Sequence, residues 1–383
     1  MYKIVKRILI WIGLFTGIVI GQYPGDSLVW EGVNDFYDFR TAEAIEKLSI
    51  ARQEYPENPA VHLTWASATW LHSQANDPIE ITYEVLSRDL DTIILVYKDL
   101  INKNSTVPKY KLFLGSAIGL KARVHLGRKE WIKTLIAAYR GFKTVKKVAN
   151  ENPEIYDAQL PIGIVEYYAG MSSILVKLAV ALFGLETTKT AGLEKMELAA
   201  EKGEFSWVEA RSILGFLYLW VDPNPDRALY HSTLLKERYP HNFYFRILYL
   251  ESLIKTQNHN LALIELDKLE PAFQELNEIQ KRRHKGYFLY EKALFELYWG
   301  DLDHCRNYIQ QCIADYDAEL DIILGNSWLI LGYLKDLDGN RQGAKRAYKK
   351  CIKLDNNTDA ISLAKTYLKR AFTNTDLESI RGI

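Results

Sequence analysis

Acids, histidines and cysteines at set spacings are the residues that could do chemistry, and this chain carries few of them in usable patterns. The eight histidines are scattered, with no H-E-x-x-H pair and no C-x-x-C pair, so no zinc site follows from spacing. A phosphate-binding loop needs G-x-x-x-x-G-K-[ST], and the stretch 184–192 holds its Thr and Lys in the wrong order. Asp336-Leu337-Asp338-Gly339-Asn340 opens like a calcium loop, but the twelfth position, where a bidentate Glu would close it, is Ala347. Asp301 and Asp303 are paired carboxylates of the kind used in acid–base work, and they stand in a turn where capping of the next helix accounts for them. The cysteines are Cys305, Cys312 and Cys351. The first two lie seven residues apart on one predicted helix, a rise of about 10 Å, beyond the roughly 7 Å that a disulfide spans. They read as small core residues, with a bridge from Cys312 to Cys351 as the alternative. No catalytic residue, cofactor or metal is nominated.

The rest of the composition points to a large folded core. Of 383 residues, 48% are hydrophobic and 12% aromatic, and 48 basic residues balance 48 acidic ones. A chain without net charge has no global field with which to gather nucleic acid. Residues 1–21 place Lys3, Lys6 and Arg7 before an uncharged run from Ile8 to Gly21, with Val19 and Gly21 ahead of Gln22. That is the pattern of a secretory signal peptide, with an uncleaved membrane anchor or a buried first helix as alternatives. The expected location is therefore the periplasm or cell envelope, although an odd number of thiols is uncommon in an exported chain.

The elements that would position any site are helices. Near the C-terminus Trp328, Leu331 and Gly332 begin one helix, Asp338-Gly339-Asn340 turns the chain, and Ala344, Tyr348 and Cys351 mark one face of a second. The pattern W-x2-L-G, turn, A-x3-Y-x2-C resembles the tetratricopeptide repeat of about 34 residues. The same register runs through Trp207 to Pro240, Phe243 to Leu269 and Tyr287 to Asp317, and a further helix, Ile361 to Phe372, is expected to shield the last repeat from water. At the other end Gly32, Phe36, Ala44, Leu48, Ala51 and Pro56 fall into step. The fold class is thus all-α, an α-solenoid of TPR-like helical hairpins with longer, atypical helices in the N-terminal half.

The chain divides into the signal peptide at 1–21, N-terminal hairpins with an insertion at 22–107, central long apolar helices at 108–205, C-terminal repeats with a cap at 206–372, and a flexible tail at 373–383. Within the insertion, Ile79 to Leu100 predicts a helix pair or one long helix. Two long helices over 110–149 turn at Leu126-Gly127-Arg128, and the second carries Arg140, Lys143, Lys146 and Lys147 at helical spacing. That stripe reads as a solvated face, or as a surface for anionic lipid or an acidic partner. The most apolar stretch, Ile162 to Leu185, is interrupted by Glu166 and Lys177 and reads as buried helices, with membrane-surface contact and a span as alternatives.

The run of Asp157, Leu160, Gly163, Tyr167, Tyr168, Gly192, Ala199, Ala200, Gly203, Ala210, Leu214 and Tyr218 is also similar to a group of tetratricopeptide-repeat proteins exported to the bacterial envelope. The resemblance implies a non-catalytic repeat protein of the envelope, and the stacked hairpins imply a scaffold working through protein–protein interaction. In tetratricopeptide hairpins the first helix lines a concave groove, and that register implies a partner-binding set of Glu209, Phe216, Trp220, Tyr244, Glu251, Lys255, Tyr287, Tyr290, Tyr298, Asn326, Tyr333 and Asp336. Such aromatics suit a protein or peptide segment with apolar anchors, and the same rings could instead pack between hairpins. The fifth positions, Ser212, Ile247, Tyr290 and Leu329, lack the Lys and Asn ladder of a carboxylate clamp. A glycan- or lipid-binding envelope component is the alternative function, and an all-helical enzyme the third.

Overall fold

A computed structural model describes residues 22–128, 130–171 and 188–382. Among them there are eighteen α-helices and no strand. In chain order these are α1 (Asp26–Tyr37), α2 (Thr41–Glu54), α3 (Val61–Asn76), α4 (Ile79–Lys103), α5 (Pro108–Gly127), α6 (Trp131–Glu151), α7 (Gln159–Met171), α8 (Lys189–Lys202), α9 (Trp207–Trp220), α10 (Pro225–Arg238), α11 (Phe243–Lys255), α12 (His259–Glu275), α13 (Glu278–Trp299), α14 (Leu302–Ala314), α15 (Ile322–Leu337), α16 (Arg341–Lys353), α17 (Asp359–Lys369) and α18 (Asn374–Arg381). Sequential helices pack as antiparallel hairpins, and the first helix of each C-terminal hairpin also touches the first helix of the next. The result is an α-solenoid in which α9, α11, α13 and α15 form one continuous inner layer.

Small residues set the spacing within hairpins. A Cβ on Gly32 would lie 2.5 Å from Leu48 Cγ, and Gly332 is covered by the Tyr348 ring in the same relation sixteen residues on. Between α7 and α8 the backbones themselves meet, since a Cβ on Gly192 would fall 2.5 Å from Tyr167 N. Helix starts are fixed locally: Asn224 caps α10 ahead of Pro225, Asn277 forms a capping box with Gln280, and Asp301 accepts from the Asp303 and His304 amides. Those bonds assign Asp301 to capping, as the sequence predicted.

The N-terminal hairpins fold back onto the C-terminal half of the stack. Tyr239 donates to Asn34 at 3.1 Å, the His241 amide to Asp38 at 3.0 Å, and the Asn242 side chain to Tyr37 O at 2.7 Å. One hairpin further along, Asn277 donates to Ala75 O at 3.0 Å and Arg283 to Asp77 O at 2.7 Å. Tyr83 and Arg123 both reach Glu319, at 2.5 Å each. The N-terminal hairpins thus sit on the loops before α11, α13 and α15, which brings α1 close to the inner layer.

Two open alternatives are resolved, and one expectation is revised. The insertion is a single long helix, α4, with Ile93, Tyr97 and Leu100 buried. No disulfide forms: all three cysteines are free and buried, with Cys312 beside Gly286 O and Ser327 Oγ and Cys351 near Ala360 O. Burial pushes the thiols up, to about 11 for Cys312 and about 12 for Cys305 and Cys351. The tail is not free. Residues 374–381 form a helix whose start is boxed by Thr373 and Asp376, Leu377 is buried, and Arg381 donates to Leu297 O and Gly300 O. A short capped helix with one apolar anchor and an Arg for the C-terminal carbonyls of α13 docks rather than frays. Residues 1–21 and 172–187, including the end of the apolar stretch and Gly184, lie outside the described residues. Among the described ones, no helix is long and apolar enough to cross a membrane.

Candidate functional site

Helical geometry gathers the predicted groove residues. Glu209, Phe216 and Trp220 on α9, and Tyr244, Glu251 and Lys255 on α11, repeat the same steps of seven and four residues, which return to one face of a 3.6-residue helix. Tyr287 and Tyr298 on α13 continue it. These three helices lie side by side in the inner layer, so the residues form one band.

The band has an outer and an inner layer. Glu209 is open to water, while Phe216, Tyr244, Lys255, Tyr287 and Tyr298 are half-buried. Tyr244 meets Tyr287 edge-on at 6.1 Å, and Tyr287 leans on Trp220 at 6.4 Å. Glu209 makes no hydrogen bond or ion pair among the described residues, yet desolvation by the surrounding protein raises its carboxyl above the ordinary range. Access to water together with desolvation is what a side chain meets inside a concave surface. Its charge is felt by Tyr37 of α1 and Tyr244 of α11, whose phenols burial already holds protonated. Tyr37 was not foreseen, because nothing in a local register says that α1 folds back against the start of α11.

Beneath the tyrosines lies a sealed polar cluster. Trp220, 2% exposed, donates its indole N–H to both oxygens of Glu251 at 2.8 and 2.9 Å. Lys255 pairs with Glu251 at 2.8 Å and donates to Leu219 O at 2.7 Å. Burial opposes the Lys255 charge, and the neighbouring Glu251 more than restores it, so the ammonium is held above its usual value. Glu291 of α13 completes the cluster, fully buried, with neither carboxyl oxygen accepting a hydrogen bond. Burial first, then the charge of Glu251, pushes Glu291 well above the ordinary carboxyl range. It is therefore a neutral acid whose O–H donates to Glu251, which resolves its lack of donors. Sequence reasoning missed it, although an acid between Leu289-Tyr290 and Ala293-Leu294 was a signal.

A second network joins α8, α9 and α10. Glu197 accepts from Tyr218 at 2.8 Å, from Arg227 Nε at 3.2 Å and from His231 Nε2 at 3.3 Å, while Arg211 donates to His231 Nδ1 at 3.2 Å. Burial pushes the Glu197 carboxyl up, but hydrogen bonds from His231, Arg227 and Tyr218 outweigh it and hold the group at about 2. His231 has no exposed surface, and burial lowers it, so it is the neutral imidazole with its proton on Nε2.

The remaining predicted positions are corrected. Trp220, Glu251 and Tyr290 are core, 2%, 0% and 2% exposed, and do not face a partner. Tyr333 stacks on Phe372 at 4.0 Å beneath the terminal helices. Asp336, with no exposed side chain, accepts from Arg341 at 2.8 Å, Tyr348 at 2.9 Å and the Phe372 amide at 2.9 Å. It is the joint that fastens the cap, which is also what the calcium-like spelling of its turn conceals. Asn326 is half-buried and donates back to Ile322 O of its own helix. The band open to a partner thus ends at α13.

Glu291 and His231 are sealed, the thiols are raised, and burial pushes His284 down to about 4. Among the described residues, no three His, Cys, Asp or Glu side chains converge as metal ligands. No family of known sequences and no curated protein matches the chain. A solved structure titled as the TPR domain of P58(IPK) is similar at 13% identity, covering 93% of this chain and 91% of that one, with a TM-score of 0.24. At that score the likeness carries no argument, and the fold assignment rests on the helix pairs themselves.

Proposed function

We propose that this protein is a non-catalytic scaffold of the cell envelope that holds a segment of a partner protein against its concave face. The observation that carries this reading is the band of water-accessible residues, Glu209, Tyr244, Lys255, Tyr287 and Tyr298, presented side by side by three successive inner helices. Tyrosines offer wide contact area at small rotamer cost, and an unpaired carboxylate among them gives a partner amide or cation something to address. Export by residues 1–21 would bring the scaffold to the envelope. Crosslinking pull-down from native envelope fractions tests the reading, comparing the full chain with Glu209→Lys and Tyr244→Ser, which change accessible residues rather than core. Recovery of one discrete protein by the unaltered chain, lost in both variants, is the expected result. Equal recovery by all three would place the binding surface elsewhere.

A further inference from the structure

A second outward-facing pattern lies on α6, and the argument for it is independent of the band on α9, α11 and α13. Its inner side is fixed against α5 by glycines: a Cβ on Gly141 would lie 2.5 Å from Gly119 N, and one on Gly115 would lie 3.1 Å from Gly141 O. Backbones that meet this closely leave the opposite side of α6 rigidly presented. Along that side Lys133, Ile136, Arg140, Lys143 and Lys147 are all exposed, each three or four residues after the last, with Tyr139 beside Arg140. At 1.5 Å per residue the stripe is about 20 Å long.

What separates this stripe from an ordinary solvated face is the apolar surface set among its cations. Arg140 and Lys143 have no ion-pair partner among the described residues, a state they share with Lys345, Arg346 and Lys349 on α16, where the exposed row carries no large apolar side chain. At the ends of the stripe Lys133 pairs with Glu130 at 2.8 Å and Lys147 only loosely with Glu151, at 3.8 Å. Among these cations Ile136 is 46% and Tyr139 38% exposed, and a shallow open trough runs between Tyr139, Lys143 and Lys147. Cations in a straight row address an anionic surface. An exposed Ile and a Tyr in the same row address its apolar boundary, which neither nucleic acid nor an acidic peptide supplies in bulk.

We infer that the outer face of α6 is a docking surface for an anionic lipid bilayer, with Arg140, Lys143 and Lys147 at the phosphate level and Ile136 and Tyr139 at the acyl boundary. Each cation brought to such a surface is worth roughly five-fold in affinity. The face sets the orientation of the solenoid on the membrane, and it leaves the concave band free.

The test uses the full chain with a readout local to α6, so that lipid binding by the apolar N-terminus cannot stand in for it. The native thiols are buried, which allows an introduced cysteine to be labelled selectively. A polarity-sensitive dye at Ile136→Cys should shift to the blue on vesicles of phosphatidylglycerol with phosphatidylcholine, and a dye at the exposed Asp267→Cys on the outer side of α12 should not. Adding Arg140→Gln, Lys143→Gln and Lys147→Gln should weaken the Ile136 response at least ten-fold, with unfolding midpoint unchanged, and added salt should do the same. Pure phosphatidylcholine vesicles should give little shift. An unshifted dye at Ile136→Cys on anionic vesicles, or a response equal in the triple variant, overturns the proposal even if the chain floats with the vesicles.

Discussion

Glu197 and Glu291 stand on neighbouring parts of one solenoid, are both largely withdrawn from water, and end in opposite charge states. Glu197, where α8, α9 and α10 join, has Arg227, His231 and Tyr218 turned on it and is held as an anion down to about pH 2. Glu291, between α11 and α13, has neither a cation nor a donor of its own, because Trp220 and Lys255 both serve Glu251. It keeps its proton. Burial pushes both carboxyls the same way, so what separates them is the number of donors aimed at each. The joint is built to hold a charge, whereas the inner cluster holds one charge and one neutral acid that shares it.

Substituting the same way at both sites would expose that difference most strongly. Glu197→Gln removes the anion that Arg227, His231 and Tyr218 converge on and presents an amide N–H to some of them. Urea unfolding should show a loss of about 3 kcal/mol, the scale of breaking a buried, hydrogen-bonded pair on one side. Glu291→Gln keeps the shape and still donates to Glu251, so it should be neutral or stabilising by up to about 1 kcal/mol near neutral pH. A comparable loss from both variants would mean that burial alone governs these sites.

The pH dependence sharpens the contrast with a smaller, graded effect. The folded Glu291 pKa is raised, so the folded chain keeps a proton that the unfolded chain gives up. Stability from this group is complete below about pH 4.5 and is lost as pH rises toward the raised value, by at most about 1.4 kcal/mol per pH unit. The folded Glu197 pKa is lowered, so its contribution is present above about pH 4.5 and is lost as pH falls toward 2. Unfolding midpoints across pH should therefore decline on both sides. Glu291→Gln should flatten the alkaline limb alone, and Glu197→Gln the acid limb alone. A Glu291→Gln variant that leaves the alkaline limb unchanged would assign that limb to another group.

These two sites also mark the border of what the amino-acid order reveals. The hairpins of the C-terminal half follow from W-x2-L-G and A-x3-Y-x2-C, because Gly332 must admit Tyr348 and no other small residue is needed to say so. Registers that repeat locally, such as Glu209, Phe216 and Trp220, return residues to one side of a helix. What a register cannot contain is depth. Trp220, Glu251 and Tyr290 share the periodicity of Tyr244 and Tyr287 but lie a layer deeper, because the helix before and after covers them. Tyr333 and Asp336 kept the same spacing and were then roofed by residues 359–381, whose docking depends on Arg341, Phe372 and Arg381 finding distant partners. The approach of Tyr37 to the band is a consequence of the N-terminal hairpins folding back, set by bonds some 205 residues apart in sequence, such as Tyr37 to Asn242. Glu291 stands out in the sequence as an acid among apolar neighbours, but its role does not, since the carboxylate that accepts its proton lies on another helix.

The finest test removes one donor and nothing else. Tyr218, 8% exposed, gives its hydroxyl hydrogen to Glu197 and stacks its ring near His231. Tyr218→Phe keeps the ring, so the packing term is nearly unchanged and the loss should be about 1.5 kcal/mol, that of one hydrogen bond to a charged group at the low end. If donors set the charge state, the Glu197 pKa must rise with one fewer of them, and the acid limb of the stability profile must move to higher pH while the alkaline limb stays in place. If the anion were held by Arg227 alone, the acid limb would not move, and the joint would be a simple ion pair with a tyrosine nearby. Read together with Glu291→Gln, the shift measures how many donors a carboxylate inside this solenoid needs before it gives up its proton.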